Sequence, residues 1–225
     1  MKEKGYLRIV KALSLAVILM FTLYFQGCNS NHTDKENKTD IIKSSGEIVE
    51  TKLTDNEKQL VQGLEIDKYF IFDVNITDKN INSLEVWADY YEKGKLNNKV
   101  FGMGTDINQP KEKNSRIIIS NQKFKPDKPE EKWTVSIYSN GSGGKGSVIV
   151  NRNEEAKSWG WSSIVKESIV TDKEIVLAII AGNQENNMRT FSVDNFNNSD
   201  EKMKNETIKE ILKNDYVYII KCKFK

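Results

Sequence analysis

LEVWADYY, residues 84–91, has the pattern that determines the fold class. In an extended strand successive side chains face opposite sides, so the residues at even positions, from Leu84 to Tyr90, share one face. The residues at odd positions, from Glu85 to Tyr91, share the other face. The run is aromatic and β-branched, and it ends at the turn residues EKGK, 92–95. This stretch therefore predicts a β-strand.

Seven further stretches have a similar composition and are separated by turns such as KPDKPE, SNGSGGKG and AGNQENN. They are residues 69–76, 116–120, 133–138, 147–151, 164–170, 175–181 and 216–224. Many short strands at this spacing favour an all-β domain over βαβ repeats. We predict a mostly β fold, a single antiparallel β-sandwich, immunoglobulin-like or related, with one or two short helices.

Two segments carry the signals of those helices. Thr54 and Glu57 have the spacing of a capping box, and apolar residues follow before Gly63. Residues 198–201, NSDE, offer N-cap chemistry for a second helix. Apolar residues and one threonine then recur at the helical period: Met203, Thr207, Ile208, Ile211 and Leu212.

The chain begins with a basic segment, MKEKGYLRIVK, followed by the apolar run ALSLAVILMFTLYF at residues 12–25. This order is typical of a signal peptide. A transmembrane helix is one alternative, but at about 1.5 Å per residue the run spans roughly 21 Å, less than the ~30 Å hydrocarbon core of a bilayer. LYFQG also occurs in a protease site used to remove expression tags. Phe21 and Thr22, however, stand where that site has Glu and Asn.

The lipobox-like sequence Phe25-Gln26-Gly27-Cys28 resembles the cleavage site of bacterial lipoprotein precursors. It differs from that pattern at Phe25, where Leu is usual, and at Gln26, where Ala or Ser is usual. The resemblance implies signal cleavage between Gly27 and Cys28 and lipidation of Cys28, with palmitate among the acyl chains. The lipid would hold the protein to the extracellular face of the cell membrane.

This interpretation divides the chain into three parts. Residues 1–27 form the signal peptide, residues 28–46 form the lipid anchor and a polar, disordered tether, and residues 47–225 form the β-sandwich domain. The segments SLEVWADYYEKGKL and YVYIIKCK also resemble segments of small uncharacterised lipoproteins of Gram-positive bacteria. That resemblance implies no particular activity.

Charge and cysteine content limit the function classes. Residues 1–27 hold four of the 34 basic and one of the 32 acidic residues, which leaves 30 against 31. A nearly neutral domain has no basic field for nucleic acid. If Cys28 is lipidated, Cys222 has no cysteine partner, and alternation in YVYIIKCKF places it on an apolar face. We therefore predict a core cysteine and no disulfide.

The motifs for cofactors and catalysis are incomplete. In SNGSGGKGS, residues 139–147, Ser139 stands where a phosphate-binding loop has its first glycine, so we interpret the segment as a flexible hairpin loop. In GMGTDI, Ile107 stands where a dinucleotide motif has its third glycine. His32, the single histidine, lies in the tether, and no residues have metal-ligand spacing. We predict no catalytic residue, no cofactor and no metal, and a protein that is not an enzyme.

Trp159-Gly160-Trp161 is the candidate ligand-binding site. In an extended strand both indoles point the same way, and exposed indoles stack on sugar rings or anchor a protein partner. The alternative is that both cover an edge of the core. We predict a binding or interaction module for a protein or glycan ligand, and we expect the 139–147 loop to extend its surface. A hydrolase of cell-envelope polymers with a carboxylate pair remains the alternative function. The strand-rich pattern disfavours a transport substrate-binding lipoprotein, which has two α/β lobes.

Overall fold

Two antiparallel sheets face each other in the part of the chain that the structure describes. This computed structural model describes residues 44–107, 114–123, 130–139, 142–151, 156–186 and 191–225, all within one compact unit, Ile42–Lys225. The predicted signal peptide, the cleavage site at Gly27 and Cys28, and the tether as far as residue 43 lie outside the described residues.

The described residues form eleven strands. They are β1 (Gly46–Glu50), β2 (Lys68–Ile76), β3 (Ser83–Glu92), β4 (Lys95–Asp106), β5 (Asn114–Lys123), β6 (Glu130–Ser139), β7 (Ser142–Asn151), β8 (Ser158–Ser163), β9 (Lys166–Ile169), β10 (Glu174–Asn183) and β11 (Tyr216–Phe224). Sheet A has the order β7-β6-β5-β2-β1-β9, and sheet B has the order β4-β3-β11-β10-β8. The predicted antiparallel sandwich is confirmed, with more strands than the seven to nine of immunoglobulin domains.

The alternation pattern identified eight of these strands and missed β1, β4 and β8. The prediction of a loop over 139–147 is wrong, because residues 142–147 belong to β7 and pair with β6 from Ser139↔Ser142 onward. Glycine has no side chain, so GSGGKG shows no alternation of polar and apolar residues. The backbone ladder with β6 supplies the missing order.

Two short α-helices accompany the sheets. In α1 (Asp55–Gly63), the Thr54 hydroxyl accepts the Glu57 N–H, and the Glu57 carboxylate accepts the Thr54 N–H at 2.7 Å. The predicted capping box is confirmed. In α2 (Glu201–Ile211), the Asp200 carboxylate accepts two backbone N–H groups of the first turn, and Ile211 is buried against the rest of the domain.

The chain itself joins the two sheets along one edge of the sandwich. β8 pairs with β10 in sheet B, and β9 pairs with β1 in sheet A immediately afterwards. Between them the Ile164 N–H donates to the Leu177 carbonyl at 2.9 Å, and the Val165 carbonyl accepts the Glu50 N–H at 3.0 Å. We call this the crossed edge. At the opposite, open edge β4 faces β7, and no ladder joins them among the described residues.

The interior between the sheets differs from one end to the other. At the end where β2 finishes and β3 begins, the large buried side chains are aliphatic apart from one phenylalanine: Ile48, Val74, Ile76, Leu84, Ile169 and Phe224. The buried polar side chains there are small serines, Ser45 and Ser115. We call this the aliphatic end. At the other end, where β2 and β11 begin, the buried side chains include charged, amide and aromatic groups: Lys68, Asn121, Glu131, Trp133, Tyr216 and Tyr218. We call this the aromatic end.

Candidate functional site

Trp159 and Trp161 lie on β8, beside the aromatic end. In the ladder with β10, Trp159 is opposite Gly182 and Trp161 is opposite Ile180. Alternate residues of a strand share a face, so both indoles point to the same side, as the alternation predicts. Their exposure differs, because Trp161 is 55% exposed while Trp159 is partly buried against the core.

Gly182 explains how Trp159 packs. A Cβ added at this position would lie 2.8 Å from atoms of the Trp159 ring, which is far inside normal contact distance. The indole therefore lies directly on the backbone of β10. Its ring centroid is 6.3 Å from that of Tyr216 and 6.4 Å from that of Tyr218. Trp159 is thus part of an aromatic cluster that extends from the strand edge into the interior.

Lys68 connects the two indoles to sheet A. The lysine is only 8% exposed, and its Nζ lies 5.8 Å from the Trp159 ring centroid and 5.4 Å from the Trp161 ring centroid. An ammonium within about 6 Å of an indole is attracted by the negative face of the ring. The site therefore places a buried positive charge next to a half-exposed indole.

Glu131 is the acidic member of the aromatic end. Its carboxylate is buried, and Oε1 accepts the Trp133 Nε1–H at 2.9 Å and the Tyr218 hydroxyl at 3.0 Å. Hydrogen bonds to charged groups contribute about 1.5–3 kcal/mol each. The Trp133 and Tyr218 rings also contact each other, with centroids 5.3 Å apart. Glu131 therefore fixes the positions of two rings that come from opposite sheets.

Asn121 places a buried side-chain amide at the aromatic end. In sheet A it is opposite Lys68 on one side and opposite Trp133 on the other. Its side chain is buried, and Nδ2 has no hydrogen-bond partner among the described residues. A buried donor without a partner costs about 1–3 kcal/mol. The aromatic end thus combines aromatic rings, a positive charge and a buried amide group.

The glycine-rich segment 139–147 does not extend this site. β7 lies at the open edge of sheet A, whereas β8 lies at the crossed edge of sheet B. The hairpin of β6 and β7 continues along sheet A instead of folding towards the two tryptophans. The structure therefore separates this segment from Trp159 and Trp161.

The buried carboxylates do not face each other. Among the described residues only Asp89 and Glu131 are buried acids. Asp89 lies on the outer face of sheet B, 2.9 Å from Lys221, whereas Glu131 lies between the sheets. Glycoside hydrolysis requires two carboxylates that face one cleft. These two acids do not form such a pair.

Three other observations bear on the predicted site classes. Cys222 is fully buried, and its burial raises the pKa of the thiol well above the usual range, which fits a residue of the core. The described residues contain no cluster of three or more His, Cys, Asp or Glu side chains that could hold a metal ion. Within the same residues, neither helix is long and apolar enough to cross a membrane.

Lys68 and Glu131 were not identified from the sequence. Glu131 shares a period-2 face with Trp133, Val135 and Ile137, and an acid on an apolar face is a signal that could have been used, because burying it is costly. Its convergence with Lys68 and the indoles depends on how sheet A packs against sheet B. No local pattern contains that information.

These observations define a two-sheet antiparallel β-sandwich domain with a buried charged and aromatic cluster at one end. The YgaN domain family matches residues 47–224, and the chain belongs to that family. The chain matches no curated protein and no solved structure.

Proposed function

We propose that the protein is a lipoprotein of the cell envelope that binds a protein or glycan ligand at the aromatic end and does not catalyse a reaction. The observation that carries the proposal is the half-exposed indole of Trp161, held 5.4 Å from the buried ammonium of Lys68. An exposed indole on a rigid strand offers a flat apolar face at little cost in conformational entropy.

The neighbouring polar groups support a ligand that is both flat and polar. The Lys68 ammonium lies 5.4 Å from the Trp161 ring centroid, so a positive charge stands beside the exposed flat face of this indole. Tryptophan is enriched among the few residues that dominate binding energy, and a cation beside an indole is attracted by the ring face. A sugar ring or a peptide side chain fits this combination.

The lipid anchor is the second part of the proposal and rests on the sequence of residues 1–28. It would hold the sandwich domain at the extracellular face of the cell membrane through acyl chains on Cys28, after removal of residues 1–27. Cys28→Ala should leave an uncleaved precursor or release the protein into the medium. Intact mass spectrometry of the membrane form tests this, and a membrane form that begins at any other residue would contradict it.

Binding is tested by capture of partners from intact membranes with the lipidated protein, which in this proposal begins at Cys28. The comparison is between wild type, Trp161→Ala and Tyr138→Ala. Tyr138 is the matched control, since it is 44% exposed on the outer face of sheet A. Captured proteins and cell-wall glycan fragments are then titrated by tryptophan fluorescence.

We expect Trp161→Ala to lose the ligand, with affinity at least tenfold weaker, while Tyr138→Ala binds like wild type. Loss of one central aromatic contact of about 1.4 kcal/mol or more corresponds to that factor. If the ligand binds wild type and Trp161→Ala equally, the aromatic end is not the binding surface.

A further inference from the structure

The four strands at the margins of the sheets differ in how well they are protected against pairing with a further strand. Sheet A ends at β7 and β9, and sheet B ends at β4 and β8. β9 has four residues and β8 has six, while the pairing of β4 with β3 is irregular at two places. Short edge strands and bulges are common devices against unwanted pairing. β7 has ten residues and a regular ladder with β6, so it has neither device.

The backbone of β7 is accessible on the side that faces away from β6. An antiparallel strand bonds to one neighbour through alternate residues, and the N–H and C=O groups of the remaining residues point the other way. Among the described residues only β6 pairs with β7. Gly143 and Gly146 are exposed, and because glycine has no side chain, this exposure belongs to the backbone. β7 therefore presents polar backbone groups that an added strand would satisfy.

The sequence of β7 is complementary in size to a second copy of itself. Three of the four residues 143–146 are glycine, and residues 148–150 are valine, isoleucine and valine. Ser147 lies between these two segments. When two copies pair antiparallel about Ser147, the glycine-rich segment of each copy lies opposite the β-branched segment of the other. No two bulky side chains are then directly opposed across the new pair of strands.

The charge on β7 favours the same register. Lys145 is the single charged residue of the strand. Pairing about Ser147 places it opposite Ile149 of the partner subunit, whose side chain is 55% exposed in one copy, so the lysine stem covers an apolar group while the ammonium stays in water. Pairing about Lys145 itself would oppose two ammonium groups, which destabilises a sheet. Pairing about Gly146 would place Ile149 opposite a glycine and leave it uncovered.

We propose that the protein forms a two-fold symmetric homodimer in which the β7 strands of two copies pair antiparallel about Ser147. The two copies of sheet A then become one continuous sheet. The same strand serves on both sides of this contact, so the assembly closes after two copies. The pairing covers Gly143–Asn151 and would form roughly ten backbone hydrogen bonds. It lies at the open edge, away from Trp161, and does not depend on ligand binding there.

Disulfide trapping in intact cells tests the register. Ser147→Cys is expressed from the full sequence and oxidised with copper phenanthroline before non-reducing electrophoresis. Directly opposite Cα atoms in an antiparallel pair are about 4.5–5.5 Å apart, within the range that a disulfide bridges. Asn98→Cys is the matched control, because Asn98 is exposed on β4, the other strand of the open edge. Wild type, which has Cys28 and the buried Cys222, gives the background.

We expect Ser147→Cys to form a disulfide-linked dimer at least tenfold faster than Asn98→Cys. Lys145→Cys and Ile149→Cys should each cross-link slowly alone and rapidly when the two are expressed together, as this register requires. Equal rates for Ser147→Cys and Asn98→Cys, or a rate for Lys145→Cys alone that matches Ser147→Cys, would overturn the proposal.

Sedimentation equilibrium of the purified protein in mild detergent measures dimerisation without an added cysteine. Ser147→Lys opposes two ammonium groups at the two-fold axis and should weaken the dimer at least tenfold. Asn98→Lys makes the same change of charge on β4 and should leave the dimer unchanged, and high salt should reduce the effect of Ser147→Lys. Circular dichroism verifies the fold of each variant. A wild-type protein that is monomeric at every concentration, or a Ser147→Lys dimer as stable as wild type, contradicts the proposal.

Discussion

The two ends of the sandwich interior lie between the same two sheets but are filled with chemically different side chains. The aliphatic end fills the space with residues such as Leu84 and Phe224, both fully buried. The aromatic end fills it with rings and with two ionisable side chains, Lys68 and Glu131. Burial of a charge is costly unless it is paired or hydrogen-bonded. The aromatic end therefore depends on specific contacts, such as the two hydrogen bonds of Glu131, that aliphatic side chains do not need.

That difference indicates which end of the interior is built for stability alone and which end has side chains that packing does not require. Apolar side chains of similar volume often replace a buried charged group with no loss of stability. The aliphatic end demonstrates that the same two sheets accept such residues. Departures from the simplest packing are expected at functional sites, which is why the binding proposal is placed at the aromatic end.

The largest effect should come from the aliphatic end. Phe224→Ala removes a fully buried ring where sheet B pairs Phe224 with Leu84, and it should lower the free energy of unfolding by about 3–5 kcal/mol. Urea unfolding measures it. The control is Ile149→Ala, a change at a residue that is 55% exposed on β7, which should stay within about 0.5 kcal/mol of wild type. A loss below about 1 kcal/mol for Phe224→Ala would mean that this end is not tightly packed.

Much of the aliphatic end could be predicted from the sequence. Alternation in residues 84–91 and 216–224 places Leu84, Cys222 and Phe224 on inward faces, and all three are fully buried. The period of two is a local property, so it is visible without a structure. The segments that escaped detection have weak alternation, as in the polar start of β4 and the glycines in the first half of β7.

The aromatic end could be predicted only in part. The shared face of Trp159 and Trp161 follows from their spacing, but their different exposure does not. Trp159 is covered because Gly182, 23 positions later in the chain, lets its ring lie flat on β10. The contacts of Lys68 with both indoles also join residues of different sheets. Such contacts depend on sheet packing and have no local signature.

The second prediction separates the two tryptophans of β8. Trp159→Ala should cost about 2–4 kcal/mol, because the ring packs on Gly182 and beside Tyr216, and its loss leaves a cavity. Trp161→Ala should cost less than about 1 kcal/mol, since over half of its side chain is already in water. Thermal and urea unfolding of both variants provides the comparison. A cost of about 2–4 kcal/mol for both variants would show that Trp161 belongs to the core and is not a binding surface.

The third prediction concerns the acid that holds the two rings. Glu131→Leu leaves the Trp133 Nε1–H and the Tyr218 hydroxyl without their acceptor and should lower stability by about 1–3 kcal/mol. Glu131→Gln retains an acceptor oxygen and should cost less. Urea unfolding of both variants and of Tyr218→Phe apportions the loss. If Glu131→Leu is as stable as wild type, the carboxylate is not needed for packing. The stability of the aromatic end would then depend on apolar contacts, as it does at the aliphatic end.

The smallest effect should come from the ion pair on the outer face of sheet B, which serves as a reference for charges outside the interior. Lys221 Nζ lies 2.9 Å from Asp89 Oδ2 and 3.5 Å from Glu174 Oε2. Burial alone would lower the pKa of Lys221, but the hydrogen bond to Asp89 and the charges of both acids raise it above its usual value of 10.5. For the nearby Tyr91, whose charged form is the anion, burial raises the pKa.

A lysine pKa that is raised by folding stabilises the protein fully below the pKa of the unfolded chain, and the contribution disappears as pH rises through the folded pKa. The same sign holds for Tyr91, because the folded state retains its proton longer. We therefore expect this contribution to be constant below about pH 10 and to be lost as pH rises above it, with less than about 1 kcal/mol of the decline due to this pair. Asp89→Asn should flatten that part of the curve, and Tyr91→Phe should flatten it further. A curve of identical shape in wild type and Asp89→Asn would show that this pair contributes nothing to the pH dependence of stability.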